Sequence, residues 1–477
     1  MLRRACFWLF FVALASGAVA TDSWLGIYLQ GAKIGFARSS ERPEVRDGRT
    51  LRRLESETRI ESQMLGSSFS MRMQSITWLN AAGKPERMQF VTESGGRKQT
   101  IAAEFIGDQI DLDVDNNGER AKKQLTIPKG ARIVDDPTFL AREWRLGQAA
   151  QEVYIVDPVT LALVKNTVLV RKAQRERVDG VEFTVDVVEV RDPRATSRVL
   201  LNEAGDLIRI FGPMGMEMRP ETAEKAQDLT ATGSVSSDLG FATRVRTDRR
   251  IDQPDTVRHL VLDAQGFDLA RMPSDGHQTI TRTANGWRID VHPKMPRGAT
   301  SAALGAVARQ QPEWVRPDSL MPSDKPAFRQ RATRITAGAK TVAVAAERLR
   351  DDVYRMMRTN TSIAVLRDAT EILRTREGLC RDHAILLGTL LRAAGIPARL
   401  CAGLVYDDDA FFYHAWTEYW DGSGWIGLDS TRPGPRLTAT HMKLAQGRLE
   451  DAFQFFVLDG AKLKVISIER DRSKESR

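Results

Sequence analysis

The sequence predicts an α+β protein whose N-terminal part is rich in β-strands. Three observations support this class. Short apolar runs separated by turn residues recur from Trp24 to about Arg219. Helical periodicity replaces them from Ala337 onward, and three strand-like runs follow from Ala398. Helices that precede antiparallel strands in this way indicate an α+β arrangement, with the helices packed on one antiparallel sheet.

The first twenty residues are predicted to be a secretory signal peptide. Arg3 and Arg4 form a short basic region, the apolar run "CFWLFFVAL" follows, and Ala18-Val19-Ala20 supplies small residues before a cleavage point. The run is too short for a stable anchor, and no later run approaches the roughly 20 apolar residues of a transmembrane helix. We therefore expect a periplasmic or secreted protein with no transmembrane segment after cleavage. An uncleaved N-terminal anchor is the alternative.

The charge pattern argues against nucleic acid as a partner. The formal net charge is +8, and loss of Arg3 and Arg4 with the signal would leave +6 (8 − 2). Lysine and arginine are scattered among aspartate and glutamate without a basic run, as on a solvated surface. We expect no nucleic-acid partner, and the sequence gives no information on the oligomeric state.

The segment 21–219 is predicted to form an antiparallel β-rich domain, whose role the sequence does not reveal. "WLGIYLQGAKIGFARSSE" indicates two strands about a turn at Gly31, and "SITWLNAAGKPERMQFVTE" repeats the plan about a turn at 80–84. Only the stretch 136–150 has helical character, with Pro137 in its first turn.

A chain of 477 residues is too long for one compact core, so several domains are expected. Strand patterns return after a polar linker, and prolines mark a loop-rich stretch before the helices. The predicted segments are a signal peptide (1–20), the β-rich domain (21–219), a linker (220–238), a smaller β-rich domain with a proline-containing linker (239–330), an α+β domain (331–450), and a C-terminal strand with a polar tail (451–477).

Within the α+β domain, the periodicity predicts three helices and three strands. Gly378 interrupts the helical pattern, and Gly395 with Pro397 ends the last helix. Leu387 and Leu391 lie on one face of that helix, which is therefore expected to be buried. The predicted helices are 337–357, 362–376 and 380–394, and the predicted strands are 398–406, 414–420 and 424–429.

The stretch "REGLCRDHAILL" places Cys380 in the first turn of the last helix. Unpaired N–H groups and the positive end of the helix dipole favour a thiolate at such a position. The same N–H groups could help to bind an oxyanion. Gly378, just before it, allows a sharp approach of the backbone. Cys380 is therefore a candidate nucleophile.

The last two strands are predicted to bring a histidine and a carboxylate together. Trp420 and Trp425 flank the turn "DGSG", and a symmetric hairpin pairs 420 with 425 and 416 with 429. Directly paired residues share a face, so His414, Trp416 and Asp429 lie on one face, with Asp429 diagonal to His414. A slip of one residue would separate them. A base for the thiol and a carboxylate that orients the base are what nucleophilic catalysis needs.

The motifs "GLCRDHAILLGTLLRAAGIPARLCAGLVY", "HAWTEYW" and "GWIGLDSTR" together resemble the transglutaminase-like superfamily, a branch of the papain-like cysteine-enzyme architecture, in its bacterial exported type. The resemblance implies that Cys380 is the nucleophile, His414 the base and Asp429 the orienting carboxylate. Ser430 stands where the family usually has proline, and Thr431 keeps the next position. The segment before this core resembles the β-domain that often precedes it in bacterial proteins.

The resemblance implies an exported cysteine enzyme that acts on amide or peptide bonds through a thioester at Cys380. Phe412, Tyr413 and Trp416 are expected to line the substrate cleft. Protein or peptide substrates of the cell envelope are the expected partners, and no cofactor and no metal are expected.

Hydrolysis, as in a peptidase or amidase, is favoured over crosslinking, because an amine must be specifically bound to compete with water and the sequence shows no acceptor site. Crosslinking by transfer of glutamine acyl groups to amines is one alternative. A non-catalytic binding or assembly module on the same fold is the other.

Two further roles of Cys380 are weighed against the nucleophile. After signal cleavage the chain would hold only Cys380 and Cys401, and an oxidising compartment would allow a disulfide between them. However, Cys401 lies among apolar strand residues, where a buried thiol is ordinary. A zinc site from Cys380, His383, His414 and Asp429 has acceptable ligand types, but it lacks the second cysteine of the usual structural sites.

Overall fold

A computed structural model describes residues 21–64, 67–136, 149–192, 195–230, 238, 243–294, 301–363, 366–434, 437–448 and 461–471. The predicted signal peptide lies outside this part of the chain, and so does nearly all of the helix predicted at 136–150. Within the described ranges, no helix is long and apolar enough to cross a membrane.

The N-terminal part is an antiparallel sheet in which fourteen strands are described, as the hairpin patterns predict. The first eight strands follow one another as a meander: β1 (Thr21–Leu29), β2 (Ala32–Arg46), β3 (Arg49–Met64), β4 (Ser67–Leu79), β5 (Pro85–Ser94), β6 (Arg97–Ile106), β7 (Gln109–Asn116) and β8 (Glu119–Thr126). The other six form a second meander: β9 (Gln151–Asp157), β10 (Ala162–Val178), β11 (Val181–Arg191), β12 (Thr196–Leu201), β13 (Leu207–Phe211) and β14 (Met216–Glu221). Pairing of β1 with β14 joins the two meanders.

Alternation of apolar and polar residues gives this sheet one buried face. In β7, Ile110 and Leu112 are buried whereas Asp111 between them is exposed, which is the period of two expected for a strand. Residues of β5 to β7 share a core cluster with Val156 of β9 at the far end of the strand order. The sheet therefore curves so that its two ends pack face to face.

The C-terminal part contains a five-stranded and a four-stranded antiparallel sheet and one short parallel pair among the residues described. The five-stranded sheet has the order β15-β22-β21-β24, with β23 added on β22, and the four-stranded sheet has the order β17-β18-β16-β25. The strands are β15 (Val245–Arg246), β16 (Val257–Gln265), β17 (Gln278–Thr283), β18 (Gly286–Val291), β19 (Arg358–Thr359), β20 (Glu377–Gly378), β21 (Ala398–Asp407), β22 (Ala410–Trp420), β23 (Trp425–Leu428), β24 (His441–Gly447) and β25 (Lys462–Arg470).

The described helices are α1 (Ala223–Gln227), α2 (Pro326–Thr336), α3 (Val342–Met356), α4 (Ala369–Thr375) and α5 (Cys380–Ala393), with short 3-10 turns at Pro213–Gly215, Pro254–Thr256 and Pro312–Trp314. The sequence did not predict α2. It also placed the start of α4 too early: the helix begins at Ala369 because Asp368 caps it, accepting the Glu371 N–H at 2.9 Å. The α+β class predicted for this region is confirmed, since α2 to α5 share one core with the five-stranded sheet.

The two C-terminal sheets also share a core. Leu260 and Ile289 of the four-stranded sheet lie in one buried cluster with Leu404 and Met442 of the five-stranded sheet. The C-terminal strand β25 completes the four-stranded sheet by pairing with β16. The predicted domain boundaries remain predictions. The C-terminal segments that these boundaries separate share one core and one sheet.

Strand β25 offers a matched pair of substitutions that tests this packing. Leu463 is 3% exposed in the shared core, whereas Ile466 on the same strand is 39% exposed. Leu463→Ala should lower the free energy of unfolding by about 2–4 kcal/mol, because it leaves a cavity in the core. Ile466→Ala should change it by less than about 0.5 kcal/mol. Urea denaturation followed by tryptophan fluorescence measures both, and equal effects would contradict the placement of β25.

Candidate active site

The structure places Cys380 at the first residue of α5, as predicted, and against the middle of β22. The helix packs on this strand through Thr417, whose hydroxyl donates to the Ala384 carbonyl at 2.9 Å. Cys380 is half-buried, and its sulfur accepts the backbone N–H of Ala415. A rigid helix and a rigid strand thus fix the thiol from two sides.

A buried ion pair secures the turn that leads into α5. Asp382 accepts the Leu379 N–H at 2.9 Å and pairs with Arg367 at 3.3 Å, and both charged side chains are fully buried. Gly378 lies against this pair: a Cβ there would come within 2.5 Å of the Asp382 carboxylate and 2.6 Å of the Arg367 guanidinium. Only glycine therefore allows the turn to pass this close, which gives the Gly-x-Cys spacing a physical reason.

The hairpin β22–β23 has the register that the sequence predicts. Trp420 pairs with Trp425, and Thr417 pairs with Leu428, the residue before Asp429. This register brings the His414 Nε2 and the Asp429 Oδ2 to 2.9 Å. Nδ1 of the same ring is then left for Cys380, with which His414 forms a hydrogen bond. The structure therefore brings all three predicted catalytic residues together.

Asp429 has more partners than the sequence predicts. Its Oδ1 accepts the Thr431 N–H at 2.8 Å and the Thr431 hydroxyl at 2.7 Å. Its Oδ2 accepts from His414 and lies 3.4 Å from the Nε2 of His441, which is buried in β24. Arg350, also buried, donates to the Asp429 backbone carbonyl at 2.9 Å. Sequence reasoning missed His441 and Arg350, because each lies on an element outside the hairpin and the packing of that element brings it to Asp429.

Charge coupling sets the protonation of the site. Burial opposes a charged imidazolium, but the charge and hydrogen bond of Asp429, with the hydrogen bond from Cys380, outweigh it and raise the pKa of His414 to about 10. Burial likewise opposes ionisation of Asp429, yet the imidazolium beside it keeps the pKa of that carboxyl well below its usual range.

The same imidazolium acts on the thiol. Burial raises the pKa of Cys380, but the hydrogen bond and charge of His414 and the Ala415 N–H outweigh this effect, so the pKa falls below its ordinary value. Burial lowers the pKa of His441 despite Asp429, which keeps that ring neutral. The arrangement therefore favours a thiolate–imidazolium pair supported by an ionised carboxylate and a neutral histidine.

The two rival roles of Cys380 do not fit this geometry. Cys380 and Cys401 are both unpaired, and burial holds the pKa of the Cys401 thiol well above its usual value. Cys380 and His383 are not among the described residues whose ligand atoms cluster closely enough to hold a metal ion. The described residues that could hold a metal ion are instead His414, Asp429 and His441, whose ligand atoms lie within 4.8 Å of one another.

The predicted substrate-binding aromatics have different environments. Trp416 is 1% exposed and packs with Cys401 and Leu437, so its predicted contact with substrate does not fit its burial. Tyr413 is half-buried against the core shared with the four-stranded sheet. Phe412 is half-buried and, by strand alternation, lies on the same face of β22 as His414. Phe412 is therefore the best placed of the three to meet a substrate.

A comparison with protein families identifies the part of the chain that contains this site. Residues 329–430 match the family model of the transglutaminase-like superfamily. The match begins close to the start of α2 and ends just after Asp429, so it contains Cys380, His414 and Asp429. This part of the chain is a transglutaminase-like domain.

A curated relative matches within a short stretch. It is a protein-glutamine gamma-glutamyltransferase of Pseudomonas aeruginosa, 42% identical over 71 residues, which cover 12% of this chain and 10% of the relative. The chain thus spans about a tenth of the length of that relative.

Two solved structures are also similar. A candidate cysteine protease from Cytophaga hutchinsonii is 17% identical with a TM-score of 0.31, over 45% of this chain and 87% of that one. A candidate protease from Parabacteroides distasonis is 12% identical with a TM-score of 0.20, over 73% of this chain and 68% of that one.

The coupling of His414 to Asp429 can be measured directly. Asp429→Asn removes the negative charge that keeps His414 protonated, so the pKa of His414 should fall from about 10 toward 6.5. NMR titration of the six histidines measures it. Asp290→Asn is the matched control, because Asp290 pairs at 2.7 Å with His259, far from the site. An unchanged His414 pKa in Asp429→Asn would contradict the ion pair.

Proposed function

We propose that this protein is an exported enzyme that cleaves amide or peptide bonds through a thioester at Cys380. The observation that carries the proposal is the chain of hydrogen bonds from Cys380 through His414 to Asp429, anchored by the 2.9 Å contact between the last two. A thiol, a base and an orienting carboxylate in this order are the machinery of nucleophilic acyl transfer.

In the first half of the reaction, the Cys380 thiolate attacks the substrate carbonyl carbon. The tetrahedral intermediate collapses as the carbon–nitrogen bond breaks, and the leaving nitrogen takes its proton from the His414 imidazolium. Asp429 keeps the Nε2–H of the ring directed toward itself, so that Nδ1 faces the sulfur and the leaving group. The product of this half is a thioester on Cys380 with neutral His414.

In the second half, a nucleophile attacks the thioester carbonyl while His414 Nδ1 accepts its proton. The carbon–sulfur bond breaks, and thiolate and imidazolium are restored together. Water as the nucleophile yields a carboxylic acid. We favour water, because a competing amine would have to be held specifically near Cys380, and hydrolysis needs no such subsite.

Amine transfer is the second candidate. The observation in its favour is the 42% identity over 71 residues to a protein whose name describes glutamyl transfer from glutamine. The same thioester serves both reactions, so the two candidates differ only in which nucleophile gains access to it. The proposal of export depends on the N-terminal sequence pattern, and a protein or peptide of the cell envelope is the proposed substrate.

One experiment separates these outcomes. The purified protein without residues 1–20 is incubated with envelope proteins, with and without a labelled primary amine, and the products are analysed by mass spectrometry. We expect new peptide termini or glutamine-to-glutamate conversion, with little label incorporated. Label incorporated at glutamine would favour amine transfer instead.

The Cys380→Ala variant is the control for this experiment. It should abolish every product, because no other described thiol lies beside His414. Cys401→Ala, which removes the other described thiol at a buried site, should retain activity. Absence of all products from the wild type, together with no labelling of Cys380 by iodoacetamide, would overturn the enzyme proposal.

The dependence of kcat/KM on pH should be bell-shaped. The active form needs both the thiolate and the imidazolium. The thiolate fraction rises with pH through the pKa of Cys380, which lies below the ordinary 9.0, and the imidazolium is lost as pH rises through about 10. We therefore expect kcat/KM to rise on the acid side of 9.0 and fall near 10. A fall near 6.5 instead would mean that His414 is not held protonated.

A further inference from the structure

Among the described residues, the tip of the β5–β6 hairpin of the N-terminal sheet contacts the domain that holds Cys380. Strands β5 and β6 meet at Gly95 and Gly96, and the turn rests on Ser362. The Ser94 hydroxyl donates to the Ser362 carbonyl at 3.0 Å. Gly95 has φ of +58°, and a Cβ there would come within 2.7 Å of that carbonyl. The backbone of the turn can therefore lie this close to Ser362 only because residue 95 is glycine.

Arg97, the first residue of β6, extends from this tip between two glutamates of the partner domain. Its guanidinium pairs with Glu371 of α4 and, at 3.2 Å, with Glu377 of β20. The side chain of Glu371 is 2% exposed and that of Arg97 11% exposed. Without Arg97, the Glu371 carboxylate would be a buried charge that no longer has this partner.

Glu377 lies only three residues before Cys380, in the turn that delivers the thiol. Its carboxylate also accepts from the Asn360 amide at 3.1 Å, and its backbone carbonyl accepts from Arg367 at 2.6 Å. Arg367 in turn pairs with Asp382, which holds the Leu379 N–H. A continuous set of contacts therefore runs from Arg97 in the N-terminal sheet to the first turn of α5.

We propose that Arg97 is a positioning residue, through which the N-terminal sheet holds the Glu377–Cys380 turn in the geometry needed for the reaction at Cys380. The inference rests on the proposed function. It gives the large N-terminal sheet a role in the reaction, since the sheet supplies a residue without which the turn before the nucleophile lacks one of its anchors.

Two roles of Arg97, positioning the turn before Cys380 and only holding the two domains together, predict different experimental results. If Arg97 only held the domains together, its loss would change stability and leave Cys380 unchanged. If it positions the turn, its loss lets the thiol shift relative to His414 and the Ala415 N–H, the groups that stabilise the thiolate. Catalysis by aligned groups is sensitive to displacements of about 1 Å.

The test compares Arg97→Ala with Lys98→Ala in the chain without residues 1–20. Lys98 is the next residue of β6, and it pairs at 3.7 Å with Glu93 of its own domain. The rate of Cys380 alkylation by iodoacetamide is measured as a function of pH, together with kcat and KM on a substrate identified by the mass-spectrometry experiment with envelope proteins. For Arg97→Ala we expect the alkylation midpoint to move to higher pH and kcat to fall about tenfold with KM little changed. Lys98→Ala should match the wild type.

A double-mutant cycle with Glu377→Ala tests whether Arg97 acts on Cys380 through Glu377. If Arg97 acts through Glu377, Arg97→Ala should add almost nothing to the alkylation shift in the Glu377→Ala background, while its loss of thermal stability through Glu371 persists. An alkylation profile of Arg97→Ala equal to that of the wild type would overturn the inference, whatever its melting temperature. Because alkylation needs no turnover, this result stands even if the wild type cleaves no substrate, which would instead count against the proposed function.

Discussion

The contact between His414 and Asp429 is the interaction on which the site depends. It forms because β22 and β23 pair in one register about a four-residue turn, and a slip of one residue would turn either side chain to the other face of the sheet. The contact determines the charge of the imidazole, and the imidazole determines the charge of Cys380. A cysteine at a helix N-terminus alone would have only the dipole and the local N–H groups in its favour. The strand pairing therefore contributes to the stability of the thiolate, through His414 and the Ala415 N–H of β22.

The rigidity of this arrangement comes from buried charges that are paired. Arg350 holds the backbone after β23, and Arg367 with Asp382 holds the turn before α5. Below the site, Lys443 is fully buried between Glu418 at 2.7 Å and Asp275 at 2.6 Å, and it links the two C-terminal sheets. Such pairs add little net stability, because desolvation offsets their attraction. They do penalise any shift that separates the partners, so they specify position. A site that needs its groups aligned benefits more from this specificity than from additional hydrophobic area.

The sequence predicted the parts of this fold in which local pattern and function coincide. Gly378, Cys380, the strand around His414 and the turn before Trp425 all follow local rules of capping, alternation and turn chemistry, and the register followed from symmetry about that turn. What it missed depends on how separate strands and helices pack together. His441 reaches Asp429 only because β24 pairs with β21 on the opposite side from β22, and no spacing rule predicts that order. Trp416 lies on the predicted face, yet it is buried because other elements cover that face. The helix α4 begins later than its apolar period suggests because Asp368 caps it and accepts the Glu371 N–H.

The contact between the N-terminal sheet and the transglutaminase-like domain is also one that local sequence pattern does not predict. Nothing in the local pattern around Arg97 distinguishes it from the other arginines of this β-rich part, several of which pair with glutamates of an adjacent strand at exposed sites, as Arg52 does with Glu41. Arg97 differs because its partners lie on another domain and one of them is almost fully buried. An exposed pair contributes little in either position or stability. A pair that crosses between domains and ends beside the turn of the nucleophile fixes one domain relative to the chemistry of the other. The size of the sheet then matters less than where the tip of the β5–β6 hairpin contacts the transglutaminase-like domain.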